Sequence, residues 1–184
     1  MTGDSLLLTM GLILETHRLL LRHQIPSDLD DLWALYCNPN ITQFIPDAPR
    51  SRAEAQEELE WHRHGHPKNR DLGLWATIHK ATGKFIGRCG LLPWEVDGVH
   101  EVEVAYTIAE EYWGQGLASE AAQAILKYGF ETLNLSRLIS LIEPENIGSQ
   151  KVAEKMGMRL EKKTELSING VDELVWIYSI SKSG

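Results

Sequence analysis

The sequence predicts a mixed α/β domain with a largely antiparallel sheet and one parallel crossover near its middle. Three observations carry this. Strand-like runs follow one another over Gly73–Ile108, joined by the short links "ATG" and "EVDG", whose turn residues suit an antiparallel meander. The last of these runs leads through "YWGQG" into a helical stretch and then into "RLISLIE". A strand–helix–strand unit of that length favours a right-handed parallel crossover. Two final strand-like runs flank Asn169-Gly170, the strongest hairpin signal in the chain.

Taken in order, "RLLLRHQI" (Arg18–Ile25) reads as a strand that can begin as early as Leu12. Pro26-Ser27 opens a helix, with Ser27 as N-cap and Leu29, Leu32, Trp33 and Tyr36 on one face. "NPNITQFIP" reads as a loop. Ser51 with Glu54 makes a capping box for a second helix, which runs to about His64 before Gly65 and Pro67 stop it. The meander strands are Gly73–Lys80, Lys84–Leu92 and His100–Ile108. A helix over Ala118–Leu133 and a strand over Arg137–Glu143 follow. Pro144 and Asn146 then start a helix that ends at Met156-Gly157, and "RLEKKTELSI" and "VDELVWIYSI" close the chain. The total is about seven strands and about four helices. With no repeat, low-complexity segment or linker in view, residues 1–11 read as an N-terminal extension and 12–184 as a single domain.

The apolar stretch "LLLTMGLIL" (Leu6–Leu14) looks like a signal-peptide core, but Asp4 precedes it without any Lys or Arg, and no small-residue cleavage site follows. It is too short to span a bilayer, and Met10 is an alternative start. A chain of 184 residues can bury an ordinary core without staples. The formal net charge of −8 argues against nucleic acid or an anionic membrane as partner, while suiting cationic substrates such as amines. Cys37 and Cys89 form neither a disulfide framework nor a metal-ligand spacing, so a reducing cytoplasm is the expected location.

The stretch that asks for a function is Tyr112–Ala122, "YWGQGLASEAA". Gly114 and Gly116 lack a Cβ, so the backbone can turn sharply there or lie close to a ligand. Ala118 and Ser119 keep the following helix start small. A helix N-terminus offers unpaired N–H groups and partial positive charge, which attract phosphate. Taken alone, the glycines fit a plain turn better, since glycine commonly marks turns and loops. The third glycine of a dinucleotide fingerprint is missing, as is the Gly-Lys-Ser/Thr of a P-loop.

The surrounding pattern resembles the GNAT superfamily of acyl-CoA-dependent N-acetyltransferases, in particular its RimJ/RimL-like branch. The resemblance runs from "LETHRLLLR" and "SDLDDLWALYCNPNITQFI" through "GKFIGRCGLL" and "EVEVAYTIAEEYWGQGLASEAAQAILKYGFETLNLSRL" to "PENIGSQKVAEKMGM". The family's pyrophosphate loop is written Gln/Arg-x-x-Gly-x-Gly/Ala. Here Trp113 takes the first position, Gly116 the fourth and Ala118 the sixth. The resemblance therefore implies that Trp113, Gly114, Gln115, Gly116, Leu117, Ala118 and Ser119 cradle the pyrophosphate of coenzyme A. Trp113 departs from the superfamily pattern but keeps the backbone donors.

Acetyl transfer from a thioester to an amine needs an unprotonated amine, a stabilised oxyanion and a protonated leaving sulfur, all held in line. In "HEVEVAYTI" the strand period puts Glu101, Glu103, Ala105 and Thr107 on one face. By resemblance, the main chain of Tyr106, Thr107 and Ile108 pairs with the pantetheine arm and Glu103 is the general base, with Glu101 in reserve. The plain alternative is a solvated strand face. Asn146 reads either as a pantetheine ligand or as a helix cap. Ser149, one turn on, is the candidate acid, because Ala153 stands where many relatives carry a tyrosine acid. His62, His64 and His66 cluster in sequence, but Gly65 and Pro67 break the helix that would align them on a metal. Cys89 and the Trp33, Leu32, Tyr36 stripe read as core.

The resemblance thus implies an acetyl-CoA-dependent N-acetyltransferase without a metal, acting by direct attack of a primary amine, either a small molecule or a protein N-terminus. Ser27–Pro67 and the final hairpin would wall the acceptor site. A homodimer is ordinary for the family. The alternative from another class is a non-catalytic acyl-CoA-binding regulatory module.

Overall fold

The computed structural model describes residues 11–168 and 171–182. Its strands are β1 (Leu12–Glu15), β2 (Leu19–Arg22), β3 (Gly73–His79), β4 (Lys84–Val96), β5 (Val99–Ile108), β6 (Arg137–Ile142), β7 (Arg159–Ile168) and β8 (Val171–Ser181). They form one 8-stranded sheet in the order β1-β2-β3-β4-β5-β6-β8-β7. The helices are α1 (Leu29–Tyr36), α2 (Pro39–Thr42), α3 (Arg52–His62), α4 (Leu117–Glu131) and α5 (Ile147–Lys155). Every strand pairing is antiparallel except β5 with β6, which are joined through α4. The meander and the crossover are therefore as the turn residues imply. At the β4–β5 turn Asp97 and Gly98 both take positive φ (52° and 75°), the backbone that a tight hairpin requires.

Four local expectations need correction. The first strand region is two strands, because Thr16 turns the chain: its N–H donates to the Leu19 carbonyl at 2.9 Å and its hydroxyl accepts the Leu19 N–H at 3.0 Å. "NPNITQFIP" contains the helical turn α2, since the Asn38 side chain caps the Asn40 N–H at 2.9 Å and Pro39 fits the first turn. Ser27 is not the cap. Asp28 accepts the Ile25 N–H at 2.9 Å and is held by two 2.7 Å bonds from buried Arg22. At α3 the capping box is half formed. Ser51 accepts the Glu54 N–H at 3.2 Å, but the Glu54 carboxylate takes the N–H of Arg50 instead of Ser51. The expected turn at Asn169-Gly170 lies outside the described residues; on either side of it β7 and β8 pair from Ile168 and Val171.

The sheet is covered on both faces. On one, Ala121, Ala122 and Ile125 of α4 pack with Leu19, Leu21, Trp75, Cys89, Leu91, Val104 and Ile108. On the other, Leu29, Leu32 and Tyr36 of α1 meet Ala55 and Leu59 of α3, with Trp33 and Phe85 at the margin. The period of β5 sorts its side chains accordingly: Val104 and Ile108 face α4, and Glu103 faces the other way.

Beyond Glu103 the sheet splits. The parallel register joins β5 to β6 only at Glu103 and Ile139. Past that point side chains bridge the strands: the Ser140 hydroxyl donates to the Val104 carbonyl at 3.0 Å, and the Leu141 N–H donates to Glu103 Oε1 at 3.2 Å. The C-terminal half of β5 thus keeps β4 on one edge and leaves its other edge facing a cleft.

Candidate active site

From Ile108 the chain passes a short turn (Glu110–Tyr112) and Trp113–Gly116 before entering α4. Gly114 and Gly116 sit at φ 74° and 77°, the left-handed region that favours glycine. The space above them is open as well. A Cβ on Gly114 would meet nothing within 4 Å, and one on Gly116 would meet only Arg18 Nη2 at 3.7 Å. The turn needs the glycines, and the open surface leaves room for a ligand, so the two readings of the stretch are compatible.

Gly116 is the N-cap of α4 and has no side chain to give the first-turn N–H groups a partner. Ser51 and Asn146 do provide one for α3 and α5. The first intrahelical bond of α4 runs from Glu120 N–H to Gly116 C=O at 3.0 Å. The N–H groups of Leu117, Ala118 and Ser119 are therefore orphan donors at the positive end of a 15-residue helix. The Leu117 side chain is buried in the core and anchors this end.

Side chains hold the loop in place. The Trp113 indole N–H donates to the Ile108 carbonyl at 2.7 Å, tying the loop to the strand end. Arg18 Nη1 donates to the Gln115 carbonyl at 2.9 Å, and its Nε to Glu120 Oε2 at 2.7 Å. Glu110 accepts from the side-chain amides of Asn38 (2.7 Å) and Asn40 (3.0 Å), so α2 is fastened beside the same loop.

On β5, the carbonyls of Val104 and Ile108 are met from the cleft side by Ser140 and Trp113, while the Ala109 N–H reaches back to Ile86 of β4 at 2.8 Å. Strand alternation therefore turns the N–H and C=O of Tyr106 into the cleft and those of Thr107 toward β4. Across the cleft stands the start of α5. Asn146 Oδ1 accepts the Ser149 N–H at 3.0 Å, so Asn146 is a helix cap, as the simpler reading has it. The Tyr106 hydroxyl donates to the Ser149 carbonyl at 2.9 Å, which brings Ser149 and Tyr106 together on the α4 side of the sheet.

Glu103 is on the opposite side, nearly fully buried. Trp94 Nε1 donates to its Oε2 at 2.6 Å and the Leu141 N–H to its Oε1. Burial pushes its carboxyl up to about 7; the Trp94 and Leu141 donors oppose this, and the carboxylates of Glu143 and Asp47 add to it. Glu143 continues the face of Ile139 and Leu141 and is likewise pushed up to about 7, chiefly by burial and then by Glu173, Glu145 and Asp47. This side of the sheet is thus acidic. Glu101 is occupied by Arg137, at 3.0 and 3.1 Å. Nearby, buried Arg88 pairs with Glu58 and lies 5.0 Å from the Tyr36 ring centre, and the Tyr36 hydroxyl donates to Glu58, locking α1 and α3 onto β4.

Burial holds His62 neutral, at about 3, and its Nδ1 accepts the Leu74 N–H at 3.2 Å. The buried Cys89 thiol is pushed up to about 11, which makes it unreactive. Among the described residues no three His, Cys, Asp or Glu side chains come together as a metal site, and no helix is long and apolar enough to cross a membrane.

Sequence reading missed Arg18, Glu120, Trp94, Glu143 and Asp47. Glu143 carried a local signal, an acid in "LIEPEN" directly before a helix start beside the proposed site. The others act through contacts between segments separated in sequence, which no local spacing announces.

Residues 18–159 match the family model described as an acetyltransferase (GNAT) domain. The chain belongs to the GNAT acetyltransferase family. It is 33% identical over 149 residues to the uncharacterized protein YkkB of Bacillus subtilis (strain 168), covering 81% of this chain and 86% of that one. It is 28% identical over 158 residues to the spermidine N(1)-acetyltransferase of Escherichia coli (strain K12), covering 84% and 81%. In fold it is similar to RimL, a ribosomal L7/L12 alpha-N-protein acetyltransferase solved in complex with coenzyme A. That likeness has a TM-score of 0.73 at 18% identity and covers 92% of this chain and 97% of that one.

Proposed function

We propose that this acetyltransferase uses acetyl-CoA and transfers the acetyl group to a primary amine by direct attack in a ternary complex. One observation carries the reading: the uncapped N-terminus of α4 opens, through left-handed glycines, beside the split between β5 and β6. The N–H groups of Leu117, Ala118 and Ser119 meet the diphosphate, and at its flank Arg18 offsets the charge of Glu120 and braces the loop. The main chain of Tyr106 pairs with the pantetheine arm as an added strand would. Bound there, acetyl-CoA supplies an activated acetyl thioester.

Glu103 takes the proton from the incoming ammonium. A carboxyl near 7 suits this task, because a base works best with a pKa close to the operating pH. Ser149, across the split, holds a hydroxyl toward the departing sulfur. Asp47, Glu103 and Glu143 favour an acceptor that arrives with positive charge. The likeness to a spermidine acetyltransferase supports a small cationic amine, and the RimL fold likeness keeps protein N-termini in the trial set.

The test is coenzyme A release from acetyl-CoA, measured with a panel of polyamines, amino acids, aminoglycosides and N-terminal peptides. Acceptor-dependent turnover is expected, strongest with cationic amines. Tight acetyl-CoA binding without acceptor-dependent turnover would instead mark a regulatory acyl-CoA-binding module.

A further inference from the structure

We infer that Trp94 is a positioning residue for Glu103: its indole N–H orients the carboxylate and stabilises its proton-accepting form. This rests on the proposed role of Glu103 as base.

Trp94 and Glu103 are diagonal neighbours on one face of an antiparallel pair. The register sets Trp94 opposite Glu101 and Leu92 opposite Glu103, and a long side chain spans that diagonal. The resulting bond, 2.6 Å from Nε1 to Oε2, has the short length of a charge-assisted contact. The second oxygen receives the Leu141 N–H from the other neighbouring strand. One donor on each oxygen fixes the plane of the carboxylate and leaves further lone pairs for an acceptor. The indole body of Trp94 packs with Val96, Ile139 and Ile177, so its donor is held by the core and has little freedom to swing away.

An indole nitrogen donates and cannot accept. It therefore favours the ionised carboxylate over the acid. The groups facing Glu103 from the surrounding elements mostly work the other way. Glu143, just past β6, and Asp47, between α2 and α3, add negative charge, and burial is the largest influence of all. Tyr106 shares the strand and its hydroxyl remains protonated, raised by burial first and then by Glu103. Against these stand two donors, and Trp94 is the one a side-chain substitution can remove.

The experiment uses the full chain with Trp94→Phe, Trp94→His and Glu103→Gln. The Glu103 carboxyl is followed by carbon NMR and identified by its loss in Glu103→Gln. Trp94→Phe should raise its midpoint by about one unit, the size of effect a lost hydrogen bond to the charged form produces. Trp94→His, which restores a ring N–H, should recover part of the shift. With the best acceptor from the amine panel, the acid limb of the kcat/KM profile should move up by the same amount while the KM for acetyl-CoA holds. An unmoved carboxyl midpoint in Trp94→Phe overturns the inference, as does a moved midpoint with an unmoved acid limb, provided Glu103→Gln removes that limb. If Glu103→Gln leaves the limb intact, the base assignment itself falls and takes the catalytic role of Trp94 with it.

Discussion

Glu120 Oε2 lies 2.7 Å from Arg18 Nε at the mouth of a helix that has no side-chain cap. An acid in the first turn of α4 would by itself repel a phosphate. Here both of its oxygens are taken: Oε1 receives the Arg18 N–H at 2.7 Å and the Thr16 hydroxyl at 2.6 Å, and Oε2 the guanidinium. The same arginine holds the Gln115 carbonyl, so one ion pair both neutralises the acid and fixes the loop.

Arg18→Ala removes that brace and exposes the Glu120 charge to the cradle. Acetyl-CoA affinity measured by calorimetry should fall about tenfold. The fold should lose about 1 kcal/mol, the usual scale for a partly exposed, hydrogen-bonded pair. Unchanged affinity would remove Arg18 from the site.

Gly116 separates strain from occupancy. Gly116→Ala places a Cβ on a left-handed residue at a cost of about 1 kcal/mol, with open space to receive it. Gly116→Glu adds charge and bulk over the orphan N–H groups. Acetyl-CoA binding should weaken at least tenfold more in the Glu variant than in the Ala variant. Equal weakening would mean that the loop conformation alone matters.

The parts of this molecule that were legible in sequence are those written locally. The turn residues in "EVDG" and the alternation in "HEVEVAYTI" identified the β4–β5 hairpin and which residues share a face with Glu103. The glycine stretch pointed to a helix start open to anions. The split of β1 from β2 was hidden because Thr16-His17 carries no Gly or Pro, and the turn is made by the Thr16 hydroxyl. Ser27 and Asp28 both have capping side chains, but neither caps α1, because the Asp28 carboxylate is taken by Arg22 and the Ile25 N–H. The partners of Glu103 were out of reach for a similar reason. Trp94 arrives by cross-strand register and Leu141 through the crossover, and neither spacing can be read along the chain.

Glu103→Gln should lower turnover most near and below neutral pH, where removing the acceptor's proton is hardest. Loss of a positioned base costs about a hundredfold or more in favourable cases. The acid limb near 7 should vanish from the kcat/KM profile, and a limb that persists would take the base role away from Glu103.

Glu103, buried, and Glu143, partly buried, also shape stability. Glu103 and Glu143 ionise at about 7 in the folded chain and near 4.5 when unfolded. Between those values the unfolded chain gives up protons that the folded chain keeps, so stability falls as pH rises through this window and stays low above it. Glu143→Gln should therefore raise the thermal midpoint at pH 8 and leave it nearly unchanged at pH 4.5, with the gain held to roughly 1–2 kcal/mol by the solvent that still reaches this partly buried carboxyl. Comparing variant with wild type at each pH isolates the carboxyl from His62, whose lowered pKa acts in the opposite direction. A variant whose midpoint parallels the wild type from pH 4.5 to 8 would show that Glu143 titrates as an ordinary surface acid.

The most direct measurement is a crystal structure of the protein with coenzyme A. The diphosphate oxygens should lie about 2.7–3.2 Å from the N–H groups of Leu117, Ala118 and Ser119, with the pantetheine running along Tyr106 between β5 and β6. A diphosphate seated elsewhere, with the head of α4 left to solvent, would contradict the assignment of this cleft as the acetyl-CoA site.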